Sequence, residues 1–405
     1  MAVNDDGIEK RDGSILSGLL GDKPIWGFAI LMFLASIVLV YSSTSSLARS
    51  EHSSNWAYMI AQAKLVIVGF LTLFAAYMVP LKWYRGLAMI MFYVSIAMLV
   101  LTVTVGTEIN GAKRWLRIPV LGATFQTTEF VKIALILYLA RVLERINMDS
   151  FKSYAIRVIV PVGVTCVLAA VGSISTALFL ALLSLFILII GGVKWSHIWK
   201  TIGIAFATGV FIVGINTVTD TFPRINTAVK RLLTHVRTEK IGTDSTAADI
   251  FEAKMAKQRE DDETFQSDMA KAAIADGKIL GKGPGCSTQR YVLPEAHSDF
   301  IFCIIVEEYG LLGASVLIIL YIGFFARCVS IVKRCKRVFS SIAVAGIATS
   351  FLIQALLHIF VNIGLLPVTG HTLPLISLGG TSFIVSSAAL GIILSISRAL
   401  EVSKS

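Results

Sequence analysis

Ten long runs of apolar residues recur along this chain, and they limit the fold more than any other feature. A helix needs about 20 apolar residues to cross the ~30 Å hydrocarbon core of a bilayer. Apolar residues make up 55% of the 405 positions and charged residues only 15%. Soluble proteins carry about 25% charged residues, so a water-soluble enzyme is excluded. We therefore expect an all-α polytopic membrane protein. Its ten transmembrane helices are predicted near 24–43, 57–79, 86–106, 126–143, 155–172, 174–192, 198–218, 299–325, 340–366 and 376–397.

Lysine and arginine concentrate in the segments on one side of these predicted helices. With the N-terminus inside, the inner segments carry 18 basic residues and the short outer segments carry four. Cytoplasmic loops are enriched in Lys and Arg, so both terminal segments, 1–23 and 398–405, are predicted to be cytoplasmic. Helices 1–7 then occupy 24–218 and helices 8–10 occupy 299–397. The net charge of +10 follows from this orientation, and we expect no nucleic-acid partner.

The connection between helices 7 and 8, residues 219–298, is a large extracytoplasmic loop with 12 basic and 12 acidic residues. It is too polar to lie in hydrocarbon and too long to be a simple tether. Apolar residues recur in it at helical spacing, with basic residues between them, which predicts amphipathic helices. Such a helix lies either on the membrane surface or against a core formed by the loop itself. The apolar positions are Ile225, Val229, Leu232, Leu233 and Val236.

Few ionisable residues fall inside the predicted spans, and each costs several kcal/mol there unless it has a partner or a function. Glu129 and Lys132 are spaced i, i+3 near the outer end of span 4 and share a helix face. They form either a structural ion pair or part of a site. Asp299 opens span 8, where a carboxylate either caps the helix or takes part in chemistry.

Three further charges lie within the predicted spans. Glu307 and Glu308 fall roughly 12–14 Å below Asp299 if span 8 is a continuous helix. We expect them to be structural partners of Lys64 in span 2, or of the backbone at Gly310. On the residues alone, an acid-lined outer cavity in a ten-span bundle fits a transporter and an enzyme comparably well.

Four groups of residues resemble the signatures of a known family. The sequence reads NGAKRW at 110–115 and QTTEFVK at 126–132. It then reads GKGPGCS at 281–287, LPEAHSDFIF at 293–302 and EEYG at 307–310. The last group is LLPVTG at 365–370, with LP at 373–374 and ISLGGTS at 376–382. Together they resemble the SEDS family of shape, elongation, division and sporulation proteins, most closely its FtsW division type, because Ala296 follows Glu295.

The resemblance implies a peptidoglycan glycosyltransferase of the bacterial cytoplasmic membrane. Such an enzyme polymerises lipid II into glycan strands on the outer face of the membrane, here at the division septum. The implied partners are lipid II, the nascent glycan strand, a class B penicillin-binding transpeptidase, other divisome membrane proteins and the bilayer. The transfer is inverting, and undecaprenyl diphosphate is the leaving group.

This chemistry needs a base and positive charge. A sugar hydroxyl is a poor nucleophile without a general base, and Asp299 matches the essential acid of the family. Arg114 and Lys132 are assigned to the diphosphate, with Glu129 either orienting Lys132 or holding a cation. A divalent cation, Mg or Mn, is a further source of positive charge, although no residue pattern identifies its site and the five cysteines lack metal-ligand spacing.

The resemblance implies further substrate-binding residues, although for the glycines a plain turn before span 8 is an equal interpretation. These are Trp115, Gly283, Gly285, Ser287, His297 and Ser298. Structural roles are expected for Lys64, Glu307, Glu308, His358 and Asn362. His358 stands where the family commonly has Asn, and we expect it to form an interhelical hydrogen bond. Residues 171–177 lack the carboxylate that the family carries at the start of span 6.

Two other functions remain open on the sequence. The first is a lipid II flippase, which needs polar residues along both halves of the bundle, whereas the inner ends of spans 4, 6 and 10 are apolar. The second is a non-catalytic divisome scaffold for the penicillin-binding protein. Neither accounts for the residues around Asp299.

Overall fold

The computed structural model describes residues 21–44, 55–109, 112–117, 124–145, 150–219 and 265–402, most of which are helical. The helices are α1 (Lys23–Ser43), α2 (Asn55–Met78), α3 (Leu81–Val105), α4 (Thr127–Arg145), α5 (Phe151–Gly172), α6 (Ile174–Ile190), α7 (Trp195–Thr219), α8 (265–277), α9 (Ile301–Arg334), α10 (Val338–Asn362) and α11 (Gly380–Val402). The strands are β1 (Thr107–Ile109), β2 (Ala112–Arg117) and β3 (Thr124–Gln126).

A helix lies at each of the ten positions at which the apolar runs predicted a span. Seven of the described helices, α1, α2, α3, α5, α9, α10 and α11, are long and apolar enough to cross a membrane. The other three predicted positions coincide with α4, α6 and α7. Helix α6 is apolar but has only 17 residues, and α4 includes the charged residues Glu129 and Lys132.

Helices α4, α10 and α11 form the centre of the bundle. In the apolar stretch that could cross a membrane, 72% of the residues of α10 and 67% of those of α11 are buried, but only 17% of those of α2. Every residue of α4 from Val131 to Leu143 is buried, and the ring of Tyr138 on α4 stacks on Phe92 of α3 at 4.0 Å. Lipid tails are as apolar as Leu, so such close packing, and not exclusion of water, holds helices together in a membrane.

Asp22 ties three helices together at the end of the bundle where α1 begins. Its carboxylate receives two hydrogen bonds from Arg327 of α9, at 2.8 and 2.9 Å, and one from Arg334 at 2.8 Å. Its backbone N–H donates to Ser397 of α11 at 2.9 Å. A two-pronged Arg–carboxylate contact is strong and directional, so it fixes the relative positions of α1, α9 and α11.

A small antiparallel sheet, which the all-α prediction missed, connects α3 to α4. Its strand order is β1-β2-β3, and Trp115 in the central strand pairs with Thr107 on one side and Gln126 on the other. The strands have three, six and three residues, too short for a clear alternation of apolar and polar positions. The central strand of this sheet carries Arg114.

Helix α9 is interrupted at Gly310, where φ is 67° and ψ is −168°. The loop that follows α8 makes backbone hydrogen bonds to this break. Lys282 N donates to the carbonyl of Glu307, and Gly283 N donates to that of Glu308, both at 2.9 Å. A Cβ on Gly310 would lie 2.2 Å from the carbonyl oxygen of Ile279, so only glycine allows the loop and the helix to approach this closely.

The break changes the expected position of Glu307 and Glu308. The straight part of α9 after Gly310, residues 311–334, is about 36 Å long at 1.5 Å per residue, enough to span a bilayer without the preceding turns. The segment 301–309 therefore does not form one straight helix with 311–334, and the loop bonds to α9 at the break between them.

The charged partners of these acids are loop residues, and Ser42 Oγ of α1 also donates to Glu308 at 2.5 Å, so the expected pairing with Lys64 is wrong. Glu307 accepts hydrogen bonds from Lys282 Nζ at 2.7 Å and from Ser287 Oγ at 2.5 Å. Glu308 lies 3.5 Å from Arg290 Nη1. Lys64 is exposed on α2. The positive charges that neutralise the acids come from the loop because the Gly310 break brings the loop to them.

The amphipathic pattern at 225–236 and the terminal segments 1–20 and 403–405 lie outside the described residues. From the predicted outer loop the structure describes α8, a turn of 3-10 helix at Gln289–Tyr291, and the segments that join them to α9.

Candidate functional site

Gly370 marks the place where Asp299 and Arg114 approach each other. It lies in the non-helical segment 363–379 between α10 and α11 and has a φ of 68°. A Cβ on Gly370 would lie 3.2 Å from Nη2 of Arg114 and 3.5 Å from Oδ2 of Asp299. Strand β2, the turn before α9 and this segment therefore bring a cation and a carboxylate to one point.

Asp299 is a partly buried carboxylic acid just before α9. Burial and the negative charge of Glu295 raise its pKa to about 6, although the charge of Arg114 and a hydrogen bond from Ser298 act in the opposite direction. An acid with this pKa gains and loses a proton near neutral pH. The N-cap residue of α9 is Phe300, with no side-chain capping bond, so Asp299 does not cap the helix.

The backbone at Asp299 is held from α10. Asn362 Nδ2 donates to the carbonyl of Asp299 at 3.2 Å, and Asn362 Oδ1 accepts from the backbone N–H of Cys303 at 3.1 Å. Asn362 is fully buried. The structural role expected for it is therefore to position Asp299 through the main chain.

Lys132 and Glu129 form a buried ion pair on the first turns of α4. Lys132 Nζ lies 2.8 Å from Glu129 Oε2 and donates to Gln354 Oε1 of α10 at 2.7 Å. The amide of Gln354 in turn donates to the carbonyl of Thr372 at 2.9 Å. The pair that the i, i+3 spacing predicted is thus connected to the same segment that carries Gly370.

Two histidines lie at this segment. His358 Nδ1 donates to the backbone carbonyl of His371 at 2.8 Å. The expected hydrogen bond to another helix is therefore wrong, because the bond goes to the segment between α10 and α11. The ring of His371 lies 5.5 Å from that of Phe179 on α6. Burial and the charges of Arg114 and Lys132 lower the pKa of His371 to about 4, so its imidazole is neutral at physiological pH.

Trp115 follows Arg114 in β2, where successive residues point to opposite sides of a sheet. Its assignment to the substrate stays a prediction.

The glycine loop also lies apart from Asp299. Gly283 bonds to the α9 backbone, Ser287 bonds to Glu307, and Gly285, with a φ of 75°, has open space where a Cβ would stand. The loop meets α9 at its break, whereas Asp299 is at the other end of the 301–309 segment. Those nine residues correspond to about 13 Å of helix. Gly283 and Ser287 thus contact α9, and the assignment of the loop to substrate stays a prediction.

His297 and Ser298 precede Asp299 in the turn before α9, and their assignment to substrate stays a prediction. Ser298 Oγ donates to Glu295 Oε2 at 3.0 Å, and Nε2 of His297 is 3.5 Å from the same carboxylate. The carbonyl of Ser298 accepts from Ser377 Oγ at 2.8 Å. These contacts fix the turn that presents Asp299.

Comparison with known proteins identifies the family of this chain. The family model of the FtsW, RodA and SpoVE cell cycle proteins matches residues 22–402. The chain belongs to this family. The resemblance to the SEDS proteins that the motifs indicated is therefore confirmed.

Members of the FtsW/RodA/SpoVE family in several bacteria are similar to this chain along most of its length. A probable peptidoglycan glycosyltransferase FtsW of Halomonas elongata is 27% identical over 372 residues, which are 90% of this chain and 87% of that protein. The peptidoglycan glycosyltransferase MrdB of Escherichia coli is 29% identical over 370 residues, 91% of this chain and 92% of that protein.

Solved structures of the family share the fold. A chain from a peptidoglycan synthase complex that coordinates polymerisation and crosslinking superposes with a TM-score of 0.70 at 24% identity, covering 93% of this chain and 98% of that one. The rod shape determining protein RodA of Thermus thermophilus gives 0.63 at 23% identity, covering 94% and 98%.

Sequence reasoning missed four residues of this family member's site. Gln354 carried a detectable signal, because an amide in an apolar span usually has a hydrogen-bonding role. Gly370 and Glu295 fell within recognised motifs and His371 next to one, but none gave a sign of its contacts, since these depend on segments distant in sequence. The assembled site offers one acid that titrates near neutral pH and two cations, Arg114 and Lys132, both close enough to act on His371.

Proposed function

We propose that this chain is a peptidoglycan glycosyltransferase that polymerises lipid II into glycan strands during cell division. The observation that carries the proposal is the convergence of Asp299 and Arg114 at Gly370, with Lys132 on the neighbouring wall. The relatives named as glycosyltransferases of this kind support the reaction class.

Asp299 acts as the general base in this proposal. The acceptor hydroxyl oxygen forms a bond to C1 of the donor sugar while the bond from C1 to the phosphate oxygen breaks, so the configuration at C1 inverts. The hydroxyl proton passes to Asp299, and the bonding electrons leave with undecaprenyl diphosphate. A base works best when its pKa lies near the working pH, and burial brings that of Asp299 to about 6.

Arg114 and Lys132 stabilise the leaving diphosphate. Preorganised cations are most effective where negative charge develops away from water, and Lys132 is 3% exposed. Glu129 and Gln354 hold its ammonium from two sides, so little reorganisation is needed as the charge forms.

Among the described residues, no group of three or more His, Cys, Asp or Glu side chains could hold a metal ion. We therefore derive no step through a divalent cation. The expectation that Mg or Mn assists the reaction stays a prediction, which chelation of the reaction mixture tests.

The proposed topology has ten spans with both termini in the cytoplasm of a bacterial inner membrane. It rests on the positions of the helices and on the excess of basic residues in the inner segments. The site then opens outwards, at the level of the lipid head groups, and the 219–298 loop is extracytoplasmic.

A class B penicillin-binding protein is the proposed partner at the division septum. The structural neighbour from a complex that coordinates polymerisation and crosslinking supports this pairing. Other divisome membrane proteins, the nascent strand and lipid II complete the set of proposed partners.

Labelled lipid II added to proteoliposomes of the purified chain distinguishes the three functions. We expect polymer on a gel from the wild type and none from Asp299→Ala. Transfer of lipid II between leaflets without polymer would instead indicate a flippase. Binding of the transpeptidase with neither activity, in a reaction where the partner is also present, would indicate a scaffold.

A further inference from the structure

His371 presents a buried polar atom without a partner inside the proposed site. Its side chain is 8% exposed, and its Nε2 has no hydrogen-bond partner among the residues that the structure describes. The charges of Arg114, Glu129 and Lys132 act on the ring, and the ring of Phe179 lies 5.5 Å from it. A buried polar atom without a partner costs about 1–3 kcal/mol, so its position calls for a ligand.

The tautomer of His371 decides what that ligand must offer. The ring hydrogen-bonds to the backbone of Ser175 in a way that favours the protonated ring nitrogen, which means that the Ser175 carbonyl accepts. Because Nε2 is the atom without a partner, the donor is Nδ1–H. A neutral imidazole has one donor and one acceptor nitrogen, so Nε2 is an acceptor and needs a group that donates a hydrogen.

The main chain holds this acceptor firmly in place. The carbonyl of His371 accepts from His358 Nδ1, and that of the next residue, Thr372, accepts from Gln354 Nε2. The adjoining 171–177 segment, which supplies the Ser175 carbonyl, has no carboxylate. The segment between α10 and α11 therefore presents the imidazole nitrogen as a hydrogen-bond acceptor in a fixed orientation.

Resting on the proposed function, we propose that His371 Nε2 accepts a hydrogen bond from the sugar part of lipid II, either from a hydroxyl group or from an N-acetyl N–H. The diphosphate does not suit this atom, because its ionised oxygens only accept hydrogen bonds. Arg114 and Lys132 bind the phosphates, and His371 orients the adjacent sugar. His371 is thus a positioning residue that distinguishes the glycan from its carrier.

The test compares two ligands with three variants of the full chain in detergent. His371→Phe keeps the ring volume beside Phe179 but removes the acceptor, and His371→Gln places an amide oxygen near the position of Nε2. His197→Phe is the matched control, because His197 is also buried but stacks on Tyr154 at 5.1 Å, at the start of α7. Binding is measured with fluorescent lipid II and with undecaprenyl diphosphate, which has the same phosphates and no sugar.

We expect His371→Phe to weaken lipid II binding about tenfold, which corresponds to one lost hydrogen bond. Undecaprenyl diphosphate binding should stay within about twofold of the wild type, and KM for lipid II should rise more than kcat falls. His371→Gln should restore most of the loss, and His197→Phe should match the wild type.

Unchanged lipid II binding by His371→Phe would overturn the proposal, since water alone would then satisfy Nε2. An equal loss for both ligands would also overturn it. If His371→Phe does not fold, His371→Met removes the same acceptor, and the same outcomes apply. The binding measurements need no turnover, so a wild-type chain that binds lipid II but forms no polymer would count against the proposed function and not against this role of His371.

Discussion

Lys132 Nζ lies between two oxygen acceptors, 2.8 Å from Glu129 Oε2 and 2.7 Å from Gln354 Oε1. The ammonium, the carboxylate and the amide all belong to buried side chains of α4 and α10. Removing one partner of a buried ion pair leaves an uncompensated charge, which costs about 3–5 kcal/mol. Stability of the bundle and the proposed binding of the diphosphate therefore depend on the same three residues.

The first prediction concerns this pair. We expect Lys132→Met and Glu129→Ala each to lower the melting temperature by several degrees. The double variant should lose less stability than the sum of the two single losses, because it leaves no unpaired charge. Thermal unfolding of the purified variants measures this coupling. Strictly additive losses would show that the two side chains do not interact.

Gly370 is the subject of the second prediction. Gly370→Ala places a Cβ 3.2 Å from Arg114 Nη2 at a residue with a φ of 68°, so we expect loss of most polymerase activity while the protein remains folded. Gly380→Ala is the control, because a Cβ there has nothing within 4 Å. Equal activity of the two variants would argue that Arg114 and Asp299 need not approach each other.

The third prediction is a pH dependence. A base must be deprotonated, so kcat/KM should rise with pH around the Asp299 pKa of about 6 and level off above it. Glu295 raises that pKa, so Glu295→Gln should move the rise to lower pH. Asp268→Asn, at an exposed acid of α8 paired with Lys271, should leave it in place. If kcat/KM rises at the same pH in Glu295→Gln as in the wild type, the titrating group is not Asp299.

Glu307 provides the fourth prediction. It accepts hydrogen bonds from Lys282, Ser287 and the backbone of Thr288, so Glu307→Ala should release the 278–291 loop from α9. Limited proteolysis should then cut this loop faster. Asp276→Asn is the control, because Asp276 contacts Lys282 from an exposed position, where an ion pair contributes at most about 1 kcal/mol. Cleavage at the wild-type rate in Glu307→Ala would show that Glu307 does not hold the 278–291 loop on α9.

The sequence was informative where the structure depends on local pattern. Runs of about 20 apolar residues located a helix at each of ten positions, and seven of these described helices are long and apolar enough to cross a membrane. The i, i+3 spacing predicted the contact of Glu129 with Lys132, because residues three apart share a helix face. Both results need only neighbouring residues.

Contacts between distant segments could not be deduced in this way. Glu307 was expected to lie deep in a span because its run is continuously apolar, but Gly310 breaks the helix and Lys282 reaches the acid from a loop. The strand that carries Arg114 is short and lies between longer helices, so the pattern gave no sign of it. The meeting of Arg114 with Asp299 depends on Gly370, which is far from both in sequence.

The most direct test of the account is to measure lipid II binding and polymer formation for Asp299→Asn beside the wild type. Asparagine keeps the size of the side chain but cannot accept the hydroxyl proton, and a general base typically contributes 10²–10⁴-fold to a rate. We therefore predict lipid II binding within a few-fold of the wild type and polymer formation reduced at least about 100-fold. Polymer formation at the wild-type rate by Asp299→Asn would contradict the role of Asp299 as the base.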